Sequence, residues 1–103
     1  MHIIYILKLE QEKYYVGKTK DIIRRYSEHI NGKKGSLWTK KYKPLIDNNI
    51  EIYITNNPRF KGMTVNEIEN KITLETMKKH GVENVRGGKW CKLEIKIDQK
   101  LLM

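Results

Sequence analysis

The sequence holds one cysteine, Cys91, in 103 residues. That scarcity excludes a disulfide within the chain and any zinc site built on two or more thiolates, so a metal ion would be held mainly by oxygen or by the three histidines. Long apolar runs are also lacking. The stretch Ile3-Ile4-Tyr5-Ile6-Leu7 ends at Lys8, too short for a signal-peptide core or a membrane span, and predicts a soluble, intracellular protein with no membrane association. Internal repeats and low-complexity segments are missing as well, which sets aside solenoids and disordered tails. Acidic residues are few: 12 against 21 Lys and Arg, a net charge of +9 and a pI of about 9.7. So strong an excess in so short a chain points to a polyanionic partner. With 39% hydrophobic and 32% charged residues, the composition fits one globular domain, residues 1–103, around a single modest core.

The pattern reads as strand, strand, helix, basic loop, strand, helix and tail. Residues 2–9 are apolar on both alternating faces, as in a strand covered on two sides. Residues 13–17 form its hairpin mate across Glu10-Gln11-Glu12. A helix over 20–30 starts at Thr19 or Asp21, both good N-caps, and stops at Asn31-Gly32. Residues 32–48 read as a loop in which Lys33, Lys34, Lys40, Lys41 and Lys43 are interleaved with Gly35, Trp38, Tyr42 and Pro44, with no acid before Asp47. Residues 50–55 alternate with period two, as in a strand, and 64–79 form a helix opened by a Thr64/Glu67 capping box. The alternation of Leu93, Ile95 and Ile97 predicts a further short strand. The expected fold is therefore α/β (α+β): a small antiparallel, mainly three-stranded sheet flanked by helices.

Three arrangements of chemistry-bearing residues stand out. An odd hairpin loop centred on Gln11 makes opposed numbers sum to 22, so Tyr5 faces Gly17, Leu7 faces Tyr15, and both tyrosines share a face beside a residue with no side chain, leaving room for a ligand. An even loop would separate the tyrosines. On the first long helix, Ile22, Ile23, Tyr26 and Ile30 form the expected buried stripe, while Arg25 and His29 lie along one border. Arg24 and Glu28 fall on the far side as an i,i+4 surface pair. Arg25 offers a fixed fork of donors to a phosphate, and His29 a second donor or proton carrier. On the second long helix, Glu69 and Glu75 sit at opposite edges of the buried stripe, and either carboxylate suits a hard ion such as Mg²⁺ that keeps water and substrate phosphate as its other ligands.

Ile3-Ile4-Tyr5, Tyr15-Val16-Gly17, Lys18, Arg25, His29, then Glu69-Asn70 and Asn84, in that order and spacing, resemble the GIY-YIG nuclease domain family. The resemblance covers residues 3 to about 88. The stretch from Arg24-Arg25 through His29 to Asn31-Gly32-Lys33-Lys34-Gly35, with Trp38-Thr39 and Pro44, is similar to the branch that includes structure-specific endonucleases, and Asn84-Val85-Arg86-Gly87-Gly88 resembles the ending of small stand-alone members. Two departures are visible: Ile3 stands where the first motif has glycine, and the cysteine-rich zinc module of the structure-specific branch has no counterpart, so a specificity module is missing or supplied by another chain or a second copy.

The resemblance implies an endonuclease that hydrolyses DNA phosphodiester bonds, with RNA left open as a substrate. Tyr5 would activate water, one Mg²⁺ or Mn²⁺ would be held by Glu69, and Arg25 would clamp a non-bridging oxygen. Tyr15 and His29 would position water or phosphate, Gly17 and Lys18 would support the site, and Asn84 would brace the turn after the second long helix. A tyrosine base, ordinarily of pKa about 10, needs nearby positive charge, for which Lys18, Arg25 and the metal are the candidates. Lys33, Lys34, Trp38, Lys40, Lys41 and Arg86 are the expected nucleic-acid contacts. The alternative is an inactive nucleic-acid-binding module of the same fold, in which the lysines track the backbone and Tyr5, Tyr15 and Trp38 stack on bases. That alternative accounts for the charge but leaves a carboxylate beside a phosphate site without purpose.

Overall fold

The computed structural model describes residues 1–45 and 50–103; residues 46–49, which include Asp47 and the end of the expected basic loop, lie outside the described part. The described elements are β1 (Ile3–Lys8), β2 (Tyr14–Thr19), α1 (Ile22–Asn31), α2 (Leu37–Lys41), β3 (Glu51–Ile54), α3 (Val65–His80) and β4 (Val85–Gly87). The strands form one sheet in the order β3-β1-β2-β4. β1 is central, pairs antiparallel with β2 and β3, and is buried on both faces as its unbroken apolar run predicts. The hairpin register is the one expected, with Tyr5 opposite Gly17 and Leu7 opposite Tyr15. Gln11 and Glu12 close it in left-handed conformations, φ 58° and 57°.

The sheet has a fourth strand, and it is mixed where an antiparallel one was expected. β4 runs parallel to β2, pairing Tyr14 with Val85 and Val16 with Gly87. A parallel partner needs a crossover, and α3 supplies it: the chain leaves β3 on one edge, crosses the sheet as α3 and returns as β4 on the other. Ile4, Ile6 and Val16 on that face pack with Ile68, Ile72 and Met77 of α3. The expected strand through Leu93, Ile95 and Ile97 does not form. The chain instead doubles back through Gly87 and Trp90, which exchange backbone hydrogen bonds of 2.9 and 2.8 Å, and Ile95 and Ile97 cover the core as irregular tail.

The opposite face carries Tyr5, Leu7, Leu9 and Trp38 in a second core cluster, covered by Ile22 and Tyr26 of α1. α1 is rotated from its expected setting. Ile23 is 79% exposed and Ile30 39%, whereas His29 is buried, so the inward stripe is Ile22, Arg25, Tyr26 and His29. Two polar side chains point inward in place of two isoleucines, and each has partners to receive it. The basic segment is not a bare loop either. Ser36 caps α2 by accepting from Thr39 N, and the chain beyond is tied to the hairpin by Glu10 N donating to Lys43 O and Leu45 N to Lys8 O.

Candidate active site

Both tyrosines stand on the α1 side of the sheet, ring centroids 6.3 Å apart. The space beside Gly17 is filled by Tyr5 and leaves no room for a ligand: a Cβ on Gly17 would lie 2.4 Å from Tyr5 Cζ and Oη. Glycine is needed there for close approach of a ring, not for backbone conformation. Tyr5 Oη then reaches His29 Nε2 at 2.9 Å, with His29 also 5.1 Å from the Tyr15 ring, centroid to centroid.

α1 presents Arg25 next to these hydroxyls. Its guanidinium is fixed from behind by Glu28 Oε1 at 3.0 Å and by the carbonyl of Lys34 at 2.7 Å. Arg24 does pair with Glu28 as expected, at 3.2 Å, but Glu28 serves both arginines. Arg24 is largely exposed, and only Arg25 faces the tyrosines.

Glu69, on α3, is near enough for its charge to be felt by both phenols. β4 stops opposite Val16, so among the described residues β2 from Gly17 to Thr19 has no paired strand on that edge, and α3 is open to it: Lys18 Nζ donates to Asn66 Oδ1, one turn before Glu69. Glu69 is half-buried, and that burial raises its pKa against the opposing charge of Lys18. Glu75 is on the other side of the sheet. It pairs with Arg59 and Lys71 and lines, with Tyr14, Tyr53 and His80, a cleft of about 160 Å³ that holds none of the tyrosine-site groups.

The electrostatics differ from the expectation of a readily ionised tyrosine. Burial pushes the Tyr5 phenol above its ordinary value and Tyr15 adds to the rise, while Arg25 opposes both. Tyr15 is raised by burial too, with Glu69 adding and Arg25 opposing. Lys18 is not among the groups that shift Tyr5 most. Burial, seconded by the Arg25 charge, holds His29 down at about 4, so the ring is neutral at pH 7. In the free protein Tyr5 is therefore a neutral phenol beside a neutral imidazole.

Two expected nucleic-acid contacts face inward. Trp38 is 3% exposed and donates from Nε1 to Tyr14 O, so burial removes it as a platform for bases. Arg86 is also buried, its guanidinium 4.3 Å from the Trp38 ring and spent on the carbonyls of Val82, Val85, Lys92 and Leu93. Lys33, Lys34, Lys40 and Lys41 are exposed. Asn84 does brace the chain after α3, donating to His80 O and accepting from Lys13 Nζ.

Residues 1–81 match the profile of the GIY-YIG catalytic domain. The chain belongs to the GIY-YIG family. GIY-YIG domains are in general endonucleases that use divalent metal ions and act on nucleic acid. The chain is similar to a UPF0213 protein of Cupriavidus necator, 38% identical over 42 residues, which are 41% of this chain and 45% of that protein. A UPF0213 protein of Fusobacterium nucleatum is 40% identical over 40 residues, 39% of each chain. The match thus spans less than half the length of these relatives, and no solved structure matches the chain. Among the described residues, no helix is long and apolar enough to cross a membrane.

Two features of the GIY-YIG site are not visible in its sequence. Helical spacing puts Glu28 within reach of Arg24 but does not show that Arg25 turns toward the same carboxylate. Thr39, which bonds His29 Nδ1 at 2.9 Å, lies in a segment whose lysines and glycine read as loop. The Ser36-x-x-Thr39 spacing is the available signal, since Ser36 caps the helix that presents Thr39.

Proposed function

We propose that this chain is an endonuclease that hydrolyses DNA phosphodiester bonds with one divalent metal ion, Tyr5 activating water and Arg25 clamping a non-bridging phosphate oxygen. The observation that carries the reading is the grouping of Tyr5 from β1, Tyr15 from β2 and Arg25 and His29 from α1 on one face of the sheet, with Glu69 of α3 near enough for its charge to add to the rise of both phenols. A half-buried carboxylate beside such a group in a chain of charge +9 opposes phosphate binding unless a cation joins it.

The donor set fits a hard ion. Among the described residues no three His, Cys, Asp or Glu side chains cluster, which disfavours a caged transition metal. One carboxylate, with water and substrate phosphate completing the shell, is a common arrangement for Mg²⁺ or Mn²⁺. Such an ion, when bound, supplies charge against the phosphoryl and leaving oxygens. Glu69 would hold it, and Lys18 tempers the carboxylate while bridging to Asn66. Arg25, braced by Glu28 and Lys34, meets negative charge as it builds on phosphorus with little further loss of freedom. Tyr15 orients the water that Tyr5 activates. Lys33, Lys34, Lys40 and Lys41 extend the positive surface along the backbone of the strand.

The deciding experiment is nicking of supercoiled plasmid, branched DNA and RNA with Mg²⁺, Mn²⁺ or chelator. Cutting is expected only with a divalent ion, and Glu69→Gln should lose it while still binding DNA. Cutting that survives chelator or Glu69→Gln sinks the metal assignment. Binding with no cutting by the parent protein favours the inactive module.

A further inference from the structure

His29 and Thr39 are each 1% exposed, so neither can turn to water for a partner. His29 Nε2 is 2.9 Å from Tyr5 Oη, and Nδ1 is 2.9 Å from Thr39 Oγ1. A neutral imidazole has one donor nitrogen and one acceptor nitrogen, and the partner of one fixes the role of the other.

Thr39 Oγ1 has three neighbours and only one hydrogen. It donates to Ser36 O at 3.2 Å, a carbonyl that can only accept. It accepts from Ser36 Oγ at 3.2 Å, whose own lone pair takes Thr39 N at 3.1 Å. The one capacity left on Thr39 is a lone pair, and it faces His29 Nδ1. With Thr39 donating to Ser36 O, which also takes Lys40 N at 3.0 Å, Nδ1 carries the proton and Nε2 the lone pair. Gly35 is packed against the same contact: a Cβ there would lie 2.8 Å from Thr39 Oγ1 and 3.4 Å from His29 Nδ1.

We propose that Thr39 is a positioning residue that holds His29 in the Nδ1-protonated tautomer, so that His29 Nε2 receives the Tyr5 proton. This rests on the reading of Tyr5 as the group that activates water. The Tyr5 O–H bond breaks toward Nε2, giving imidazolium and phenolate. The phenolate takes a proton from water, the hydroxide oxygen bonds to phosphorus, the phosphorus–oxygen bond to the leaving strand breaks, and the leaving oxygen takes a proton from solvent. His29 returns its proton to solvent through Tyr5 after product leaves. The depressed pKa of His29 leaves the ring neutral, with its lone pair free, before the reaction, and with the raised pKa of Tyr5 it sets the proton transfer uphill in the free protein.

The test is a ¹H–¹⁵N long-range correlation spectrum of the His29 ring in the full chain, without DNA or metal, for the parent, Thr39→Ser and Thr39→Val. Parent and Thr39→Ser should show protonated Nδ1 and bare Nε2, and Thr39→Val should gain the Nε2–H form. In the cutting assay, Thr39→Val should lose roughly 10- to 100-fold in kcat, part of the 10² to 10⁴ that proton transfer by a positioned side chain contributes, with KM little changed and Thr39→Ser restoring the rate. An Nε2–H ring in the parent overturns the proposal whatever the activity. An Nδ1–H ring in a parent that cuts nothing supports the tautomer assignment and overturns the base reading of Tyr5. Should Thr39→Val fail to fold, the parent and Thr39→Ser spectra decide.

Discussion

The ring of Tyr5 lies over the bare Cα of Gly17 on the neighbouring strand, so close that one added methyl would overlap its hydroxyl carbon and oxygen. The contact joins the two sequence motifs directly: the glycine of the second makes the place that the tyrosine of the first occupies. Gly17→Ala should therefore destabilise the protein by about 1–3 kcal/mol, the usual range for overpacking a core. It should also displace Tyr5 from His29. Chemical denaturation measures the first effect and tyrosine fluorescence or NMR the second; a Gly17→Ala variant as stable as the parent would mean that the sheet yields there at no cost.

Arg24 and Arg25 share Glu28 but face different media. Arg25→Ala should reduce turnover by orders of magnitude, since a positioned cation in a partly dry site is worth several kcal/mol in a transition state, whereas Arg24→Ala should act weakly and through binding. Single-turnover cutting at saturating DNA separates the two. Equal losses would contradict the inward setting of Arg25.

Neutralising Lys33, Lys34, Lys40 and Lys41 together should weaken binding to every DNA sequence and flatten the log–log salt dependence by about 0.9 per lost phosphate contact. Cutting of fully bound DNA should persist. Because Arg25 takes only the backbone carbonyl of Lys34, substitution of that side chain leaves the brace intact. A collapse of turnover on bound DNA would place these lysines in the reacting site.

His29 predicts a window of acid sensitivity. Its folded-state pKa, about 4, is below the ordinary 6.5, so the unfolded chain takes up a proton first as pH falls. Its contribution is fully present above 6.5 and is lost progressively as pH falls from there to about 4, by roughly 3 kcal/mol at about 1.4 kcal/mol per pKa unit. Urea midpoints at pH 7.5 and 4.5 should therefore fall further apart in the parent than in His29→Gln. Equal drops in the two proteins would show that His29 is not buried neutral.

The hairpin, its register and the two long helices were legible because each is set locally: alternation, a loop of odd length, Asp21 and Thr64 as caps, Gly32 as a stop. The setting of α1 was not. Hydrophobicity alone turns Ile23 and Ile30 inward, but the space against Tyr5 is polar, and His29 and Arg25 occupy it because Thr39, Glu28 and Lys34 are there to bond them. Thr39 and Lys34 come from another element and a turn, of which helical spacing carries no trace, and Glu28, three residues on in α1, is as close by spacing to Arg24 as to Arg25. β4 escaped for a similar reason. Three residues, one an arginine and one a glycine, show no period, and they form a strand only because α3 delivers them to the edge of β2. Family resemblance singled out Tyr5, Arg25 and Glu69, while the inward turn of Trp38 and Arg86 is a matter of packing that an aromatic and a basic residue type do not disclose.

The bonds made by Arg86 bear on where this domain can be cut. Arg86 and all four carbonyls that hold its guanidinium lie beyond the family match that stops at residue 81, and two of the four belong to Lys92 and Leu93. A truncation after Gly88 would leave a buried cation short of acceptors over Trp38, a loss of about 1–3 kcal/mol for each unsatisfied group. It would also strip Trp90, Ile95 and Ile97 from the core. A fragment ending at the family match would lose Arg86 itself together with β4, and one ending after Gly88 would keep the arginine without two of its acceptors, so the working limit for expression lies beyond Leu93.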